Sequence, residues 1–119
     1  MGDYQLVSPG GQHVADLIYE TEPPHGDSLH RLIIDGRRFP GRVWGRWFSF
    51  SSDGDWLGFS WAGEAFDAAT VIADIPGRRF AMLKAYIPAF RIEGSQILDQ
   101  QVGEERALFL DDKDFDRSW

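Results

Sequence analysis

The sequence predicts an all-β domain of antiparallel strands. The strands form blade-like meanders in an open sandwich or an incomplete propeller-like arrangement. Three observations predict it: a hydrophobic period of two, turn chemistry every 8–12 residues or so, and an internal repeat.

The period of two runs through the chain. Residues 12–20 alternate, with Val14 and Ile18 on one face and Ala15, Leu17 and Tyr19 on or near the other. Residues 29–35 are apolar and β-branched. Residues 47–51 place Phe48 and Phe50 together, and residues 55–61 do the same for Leu57, Phe59 and Trp61. Residues 70–75 and 79–87 continue the pattern, giving about nine or ten strands. Residues 62–69 read as a loop, and no long segment carries a helical stripe. The runs are separated by Ser8-Pro9-Gly10-Gly11, Asp35-Gly36, Ser52-Asp53-Gly54-Asp55 and Pro76-Gly77. Asp-Gly and Pro-Gly supply the backbone angles that tight turns need.

The repeat is visible in two places. The stretch from Ser8 to Leu17 resembles that from Ser51 to Ser60. Leu32-Ile33-Ile34-Asp35-Gly36-Arg37-Arg38-Phe39 resembles the stretch from Ile72 to Phe80, which ends in Gly77-Arg78-Arg79-Phe80. A third copy begins at Glu93-Gly94-Ser95-Gln96-Ile97-Leu98 and continues into residues 106–112. One domain over 1–119 is expected, with repeats at about 4–43, 44–86 and 87–112 and an acidic tail at 111–119.

The run from Phe48 through Ser51-Ser52-Asp53-Gly54 to Phe59, followed by Val71-Ile72-Ala73-Asp74-Ile75-Pro76-Gly77-Arg78, resembles a blade of the TolB-type or WD-repeat-like β-propellers. The resemblance implies a strand pair joined by a Ser-x-Asp-Gly turn, then a hairpin. It implies nothing about chemistry. The Gly-His and Trp-Asp marks of WD repeats are absent. Three copies also fall short of the four or so blades that a ring needs. An open sandwich or a self-associating piece follows.

Composition bounds the function. The chain has 119 residues, of which 43% are apolar and 26% charged, enough to build a core without staples. With no Cys, disulfides, zinc-thiolate sites and thiol catalysis are excluded. No apolar run approaches the ~18 residues of a membrane span. No secretory leader is read, and Leu6 stands where a myristoylation signal needs Ser or Thr. The expected location is cytoplasmic, with no membrane partner.

The net charge of −7 argues against nucleic acid as main partner and permits a basic protein partner. The charge is uneven. Arg31, Arg37, Arg38, Arg42 and Arg46 stand against Asp35 in residues 31–46, whereas residues 99–119 carry seven acids against three bases.

Catalytic patterns are incomplete. Gly26-Asp27-Ser28-Leu29 resembles the GDSL esterase motif, but no His follows His30 to act as base. Asp112, Asp114 and Asp116 copy the start of an EF-hand loop, but Arg117 stands where its glycine belongs. His13, His25 and His30 match no metal-pair spacing. No catalytic residue, cofactor or metal ligand is assigned.

The five tryptophans stand out. Alternation puts Trp47 opposite Phe48 and Phe50, and Trp56 opposite Leu57, Phe59 and Trp61. Such residues either meet a second layer or form a contact surface. The expected partner-binding set is Trp47, Trp56, Asp111, Asp112, Asp114, Asp116 and Trp119. The expected function is non-enzymatic protein binding of the inhibitor or immunity type, covering the active site of a basic bacterial toxin or effector. The alternatives are a self-associating structural or adaptor subunit (a homo-oligomer) and a small-molecule or carbohydrate-binding domain.

Overall fold

The computed structural model describes residues 3–21, 28–63, 68–100 and 106–119, with the side chains of Arg46 and Arg106 excepted. Twelve strands are seen among them: β1 (Tyr4–Val7), β2 (Val14–Thr21), β3 (Leu29–Ile34), β4 (Arg37–Arg38), β5 (Arg42–Phe50), β6 (Trp56–Gly63), β7 (Ala69–Asp74), β8 (Arg79–Met82), β9 (Phe90–Glu93), β10 (Gln96–Asp99), β11 (Arg106–Phe109) and β12 (Arg117–Ser118). Among the described residues, helical structure is limited to two single 3-10 turns, Pro9–Gly11 and Asp112–Asp114. Every strand pair is antiparallel.

Nine strands form one sheet in the order β1-β2-β3-β5-β6-β7-β8-β12, with β4 paired to β3, and β11-β10-β9 form a second. The fold is therefore an open antiparallel sandwich. The first two sequence repeats lie in one continuous meander, and their boundary at 43/44 falls inside β5. Residues 90–109 supply the small sheet. No helix among the described residues is long and apolar enough to cross a membrane.

The period of two sorts the side chains. Ala15 and Leu17 pair with Ile34 and Leu32, while Leu57 and Phe59 pair with Ala73 and Val71. All of these share one core with Val43, Ile75 and Phe80. One cluster fed by β2, β3 and β6 to β8 requires the sheet to curl on itself. A register shift in β5 between Val43 and Phe48 helps bend it. Phe39 follows β4 and fills the centre of the curl. Its ring centroid is 5.1 Å from Phe59, 4.8 Å from Phe80 and 5.1 Å from Trp119.

The opposite face of the sheet at Ile72 and Ala81 is covered by Phe90, Ile92 and Ile97 of the small sheet, together with Leu110 and Phe115. Trp47 and Trp56 pack in this second core, on the face the alternation assigned them.

The two repeat-matched turns near Ser8 and Ser51 touch. A Cβ on Gly54 would lie 2.9 Å from the Pro9 carbonyl oxygen, and Gly54 holds a φ of +81° that favours glycine. The Asp35-Gly36 turn has positive φ at both residues, +50° and +80°, as a tight hairpin of the mirror-image type requires.

Candidate functional site

Two surfaces gather chemistry. The first lies along the open side of the curled sheet. There the end of β12 faces β4, and a shallow hollow is lined by Arg37, Arg38, Pro40, Ser118 and Trp119. A deeper hollow of about 190 Å³ adjoins it, with Arg37 and Trp119 in common and with His13, Asp35 and Arg78 on its walls. The repeat explains this meeting. Gly36-Arg37-Arg38-Phe39 and Gly77-Arg78-Arg79-Phe80 occupy matching turns, so their phenylalanines touch in the core and Arg37 and Arg78 reach the same hollow. Trp119 closes the seam, its N–H donating to the Arg78 carbonyl at 3.1 Å.

His13 ties three turns together at one end of this seam. Its Nδ1 lies 2.7 Å from Asp35 Oδ2 and its Nε2 lies 3.1 Å from Asp55 Oδ1. Asp35 Oδ1 accepts from the Val14 N–H. Burial pulls the His13 pKa down, but the hydrogen bonds to Asp35 and Asp55 and their charges together outweigh it, so the value is raised from 6.5. A raised folded-state pKa stabilises the fold fully below the unfolded value, and the contribution is lost as pH climbs through the folded value. The urea midpoint of the wild type is therefore expected to fall, relative to His13→Gln, as pH rises from 6.5. Parallel pH profiles for the two proteins would refute this linkage.

The second surface is on the small sheet. β11 is one of its two edge strands and exposes Phe109 at 66% and Leu108 at 41%. Met82, at the end of β8, is 41% exposed. These three line a groove of about 440 Å³ with Lys84, Lys113, Asp114 and Asp116 at its margin. The loop after β11 is stiffened by a reciprocal cap. The Asp111 carboxylate accepts from the Lys113 N–H at 2.9 Å, and the Asp114 carboxylate accepts from the Asp111 N–H at 2.8 Å. Asp112 bonds Arg79 at 2.6 Å, and Arg79 also bonds Asp74 at 2.9 Å. Those hydrogen bonds raise the Arg79 pKa, that from Asp112 most.

The structure thus brings Asp111, Asp112, Asp114 and Asp116 together on one exposed loop. It holds the tryptophans elsewhere. Trp47 donates its indole N–H to the Phe90 carbonyl at 2.8 Å, and Trp56 lies 4.9 Å from the Phe115 ring beneath the acidic loop. Trp119 is half-buried on Phe39, with its indole nitrogen buried and without a hydrogen-bond partner among the described residues. His30 is buried edge-on to Tyr4 and Tyr19, while His25 lies outside the described residues, as do Gly26 and Asp27. Among the described residues no group of three or more His, Asp or Glu is assembled to hold a metal ion. Sequence reasoning missed Leu108, Phe109 and Met82. Alternation assigns faces but does not tell which apolar residues are left uncovered by a second layer.

Comparison with known proteins finds no family model, no curated protein and no solved structure that matches the chain.

Proposed function

We propose that this is a non-enzymatic protein-binding module of the inhibitor or immunity type. It neutralises a basic toxin or effector by covering that protein's active site. The observation that carries the reading is the exposed apolar edge of Phe109, Leu108 and Met82 beside the acidic loop at Asp111, Asp112, Asp114 and Asp116. An apolar centre with a charged rim is how protein contacts are built, and a few aromatic anchors carry most of the affinity. The net charge of −7 speeds encounter with a basic partner. Trp56 supports the surface from below through Phe115.

The test is capture from native lysate at about 0.15 M salt and again at higher salt, repeated with Phe109→Ser and with Asp114→Asn/Asp116→Asn. One stoichiometric basic partner is expected. Phe109→Ser should weaken it about 30-fold or more, and the double asparagine variant should flatten its salt dependence. Recovery of the bait alone, or of a partner indifferent to both variants, would overturn the reading.

A further inference from the structure

Some of the described arginines of this acidic chain are ion-paired and others are not. Arg31, Arg79 and Arg91 are ion-paired, with Glu20, with Asp74 and Asp112, and with Glu93 respectively. Arg37, Arg38 and Arg78 are exposed, and their side chains make no hydrogen bond or ion pair among the described residues. Arg117 is exposed and unbonded among the described residues in the same way but lines a different hollow, whereas Arg37 and Arg38 of β4 and Arg78 of the turn before β8 converge on the adjoining hollows beside Trp119. The one acidic side chain on the walls of the deeper hollow, Asp35, has both oxygens engaged, by the Val14 N–H and by His13. It is not available to neutralise them.

We propose that the hollow between Arg37 and Arg78 is an oxyanion site that takes a phosphoryl group, free or carried on a protein side chain. Guanidinium groups present rigid forks of N–H donors that match phosphate oxygens two at a time. Like charges gathered without counter-ions repel one another, and a dianion removes that repulsion. The hollow of about 190 Å³ is below the usual ~300–1,000 Å³ of drug-sized sites and suits a phosphoryl group. The shallow neighbour that adds Arg38 offers a second charge of the ligand its own partner. Arg78 sits at φ +51°, a backbone that glycine adopts more easily, and it is held there by the Trp119 N–H. The site is independent of the Phe109 surface.

The test is calorimetric titration of the full chain at low ionic strength with orthophosphate, with pyrophosphate and with a peptide carrying one phosphoserine. The arginine Nε–H resonances are followed in parallel by NMR. One pyrophosphate per chain is expected, bound more tightly than orthophosphate, with shifts at Arg37 and Arg78. Arg37→Gln and Arg78→Gln should each weaken it about tenfold, and Arg91→Gln should not. Tighter binding of the phosphopeptide would support the site and assign the phosphoryl group to a protein. Tighter binding of pyrophosphate would support it and assign a free anion. No binding of any probe up to ~10 mM would overturn the proposal. So would unchanged affinity in the Arg37→Gln/Arg78→Gln variant, or equal shifts at Arg31 and Arg91. The substituted side chains are exposed, and a melting temperature within a few degrees of wild type confirms that each variant is folded.

Discussion

Phe39→Ala is expected to destabilise the protein by about 3–5 kcal/mol and to lower its melting temperature by roughly 10–20 °C. Phe39 lies outside the regular strands, yet it is 1% exposed. Its ring meets Phe59 of β6, Phe80 of β8 and Trp119, elements that are not neighbours in the chain. Its N–H donates to the Leu32 carbonyl at 2.9 Å, which holds the backbone in place whatever the side chain. Truncation therefore leaves a cavity that the surrounding hydrogen-bonded strands cannot collapse into, and the cavity term adds to the lost transfer energy. Phe39→Leu retains much of the volume and should cost under about 1.5 kcal/mol. Equilibrium urea unfolding of both variants is the measurement, with near-ultraviolet circular dichroism reporting the Trp119 environment. A loss below about 1.5 kcal/mol for the alanine variant would mean the curled sheet closes without this ring.

The same residue marks how far the sequence could be read. The strands were legible because one face of each is buried, and burial on one face enforces a period of two. Leu57 and Phe59 on the inner face and Trp56 on the outer one follow it directly. The Asp35-Gly36 turn was legible because its positive φ values restrict composition. What alternation does not contain is how far a meander continues before it curls. Grouping strands into blades of four or joining nine into one sheet places the same residues on the same faces. The difference lies in long-range packing, through Phe39 and the irregularity in β5. The Gly-Arg-Arg-Phe repeat was visible as a string, but its meaning was not. Only the curl brings Phe39 onto Phe80 and Arg37 beside Arg78. The tryptophans were ambiguous for a related reason. A residue opposite the core face meets either solvent or a second layer, and that layer comes from residues some 40 positions away. Trp47 meets Phe90 in this way.

Gly58 is the position on which attachment of that second layer turns. A Cβ added there would lie 2.4 Å from Phe90 Cε2, 2.7 Å from Phe90 Cζ and 2.8 Å from Ile72 Cδ1. Ring carbons in a filled interior cannot yield by that much without shifting the small sheet. Gly58→Ala is therefore expected to cost about 1–3 kcal/mol through overpacking, although alanine suits a strand better than glycine does. Phe90→Ala alone should cost about 3–5 kcal/mol. The double variant should be less destabilised than the sum of the two. Removing the ring abolishes the clash, and the new methyl occupies part of the hole. A coupling on the order of 1 kcal/mol is expected from chemical denaturation. Additivity within ~0.5 kcal/mol would show that the Phe90 ring does not rest on Gly58. The substitution also separates the two surfaces. β11 carries Phe109 and belongs to the small sheet, whereas Arg37 in β4 and Arg78 in the turn before β8 belong to the large one. Gly58→Ala should perturb the Trp47 indole resonance and weaken capture of a protein partner, while pyrophosphate affinity at the seam stays unchanged. Equal loss at both surfaces would mean that the two sheets respond as one rigid body.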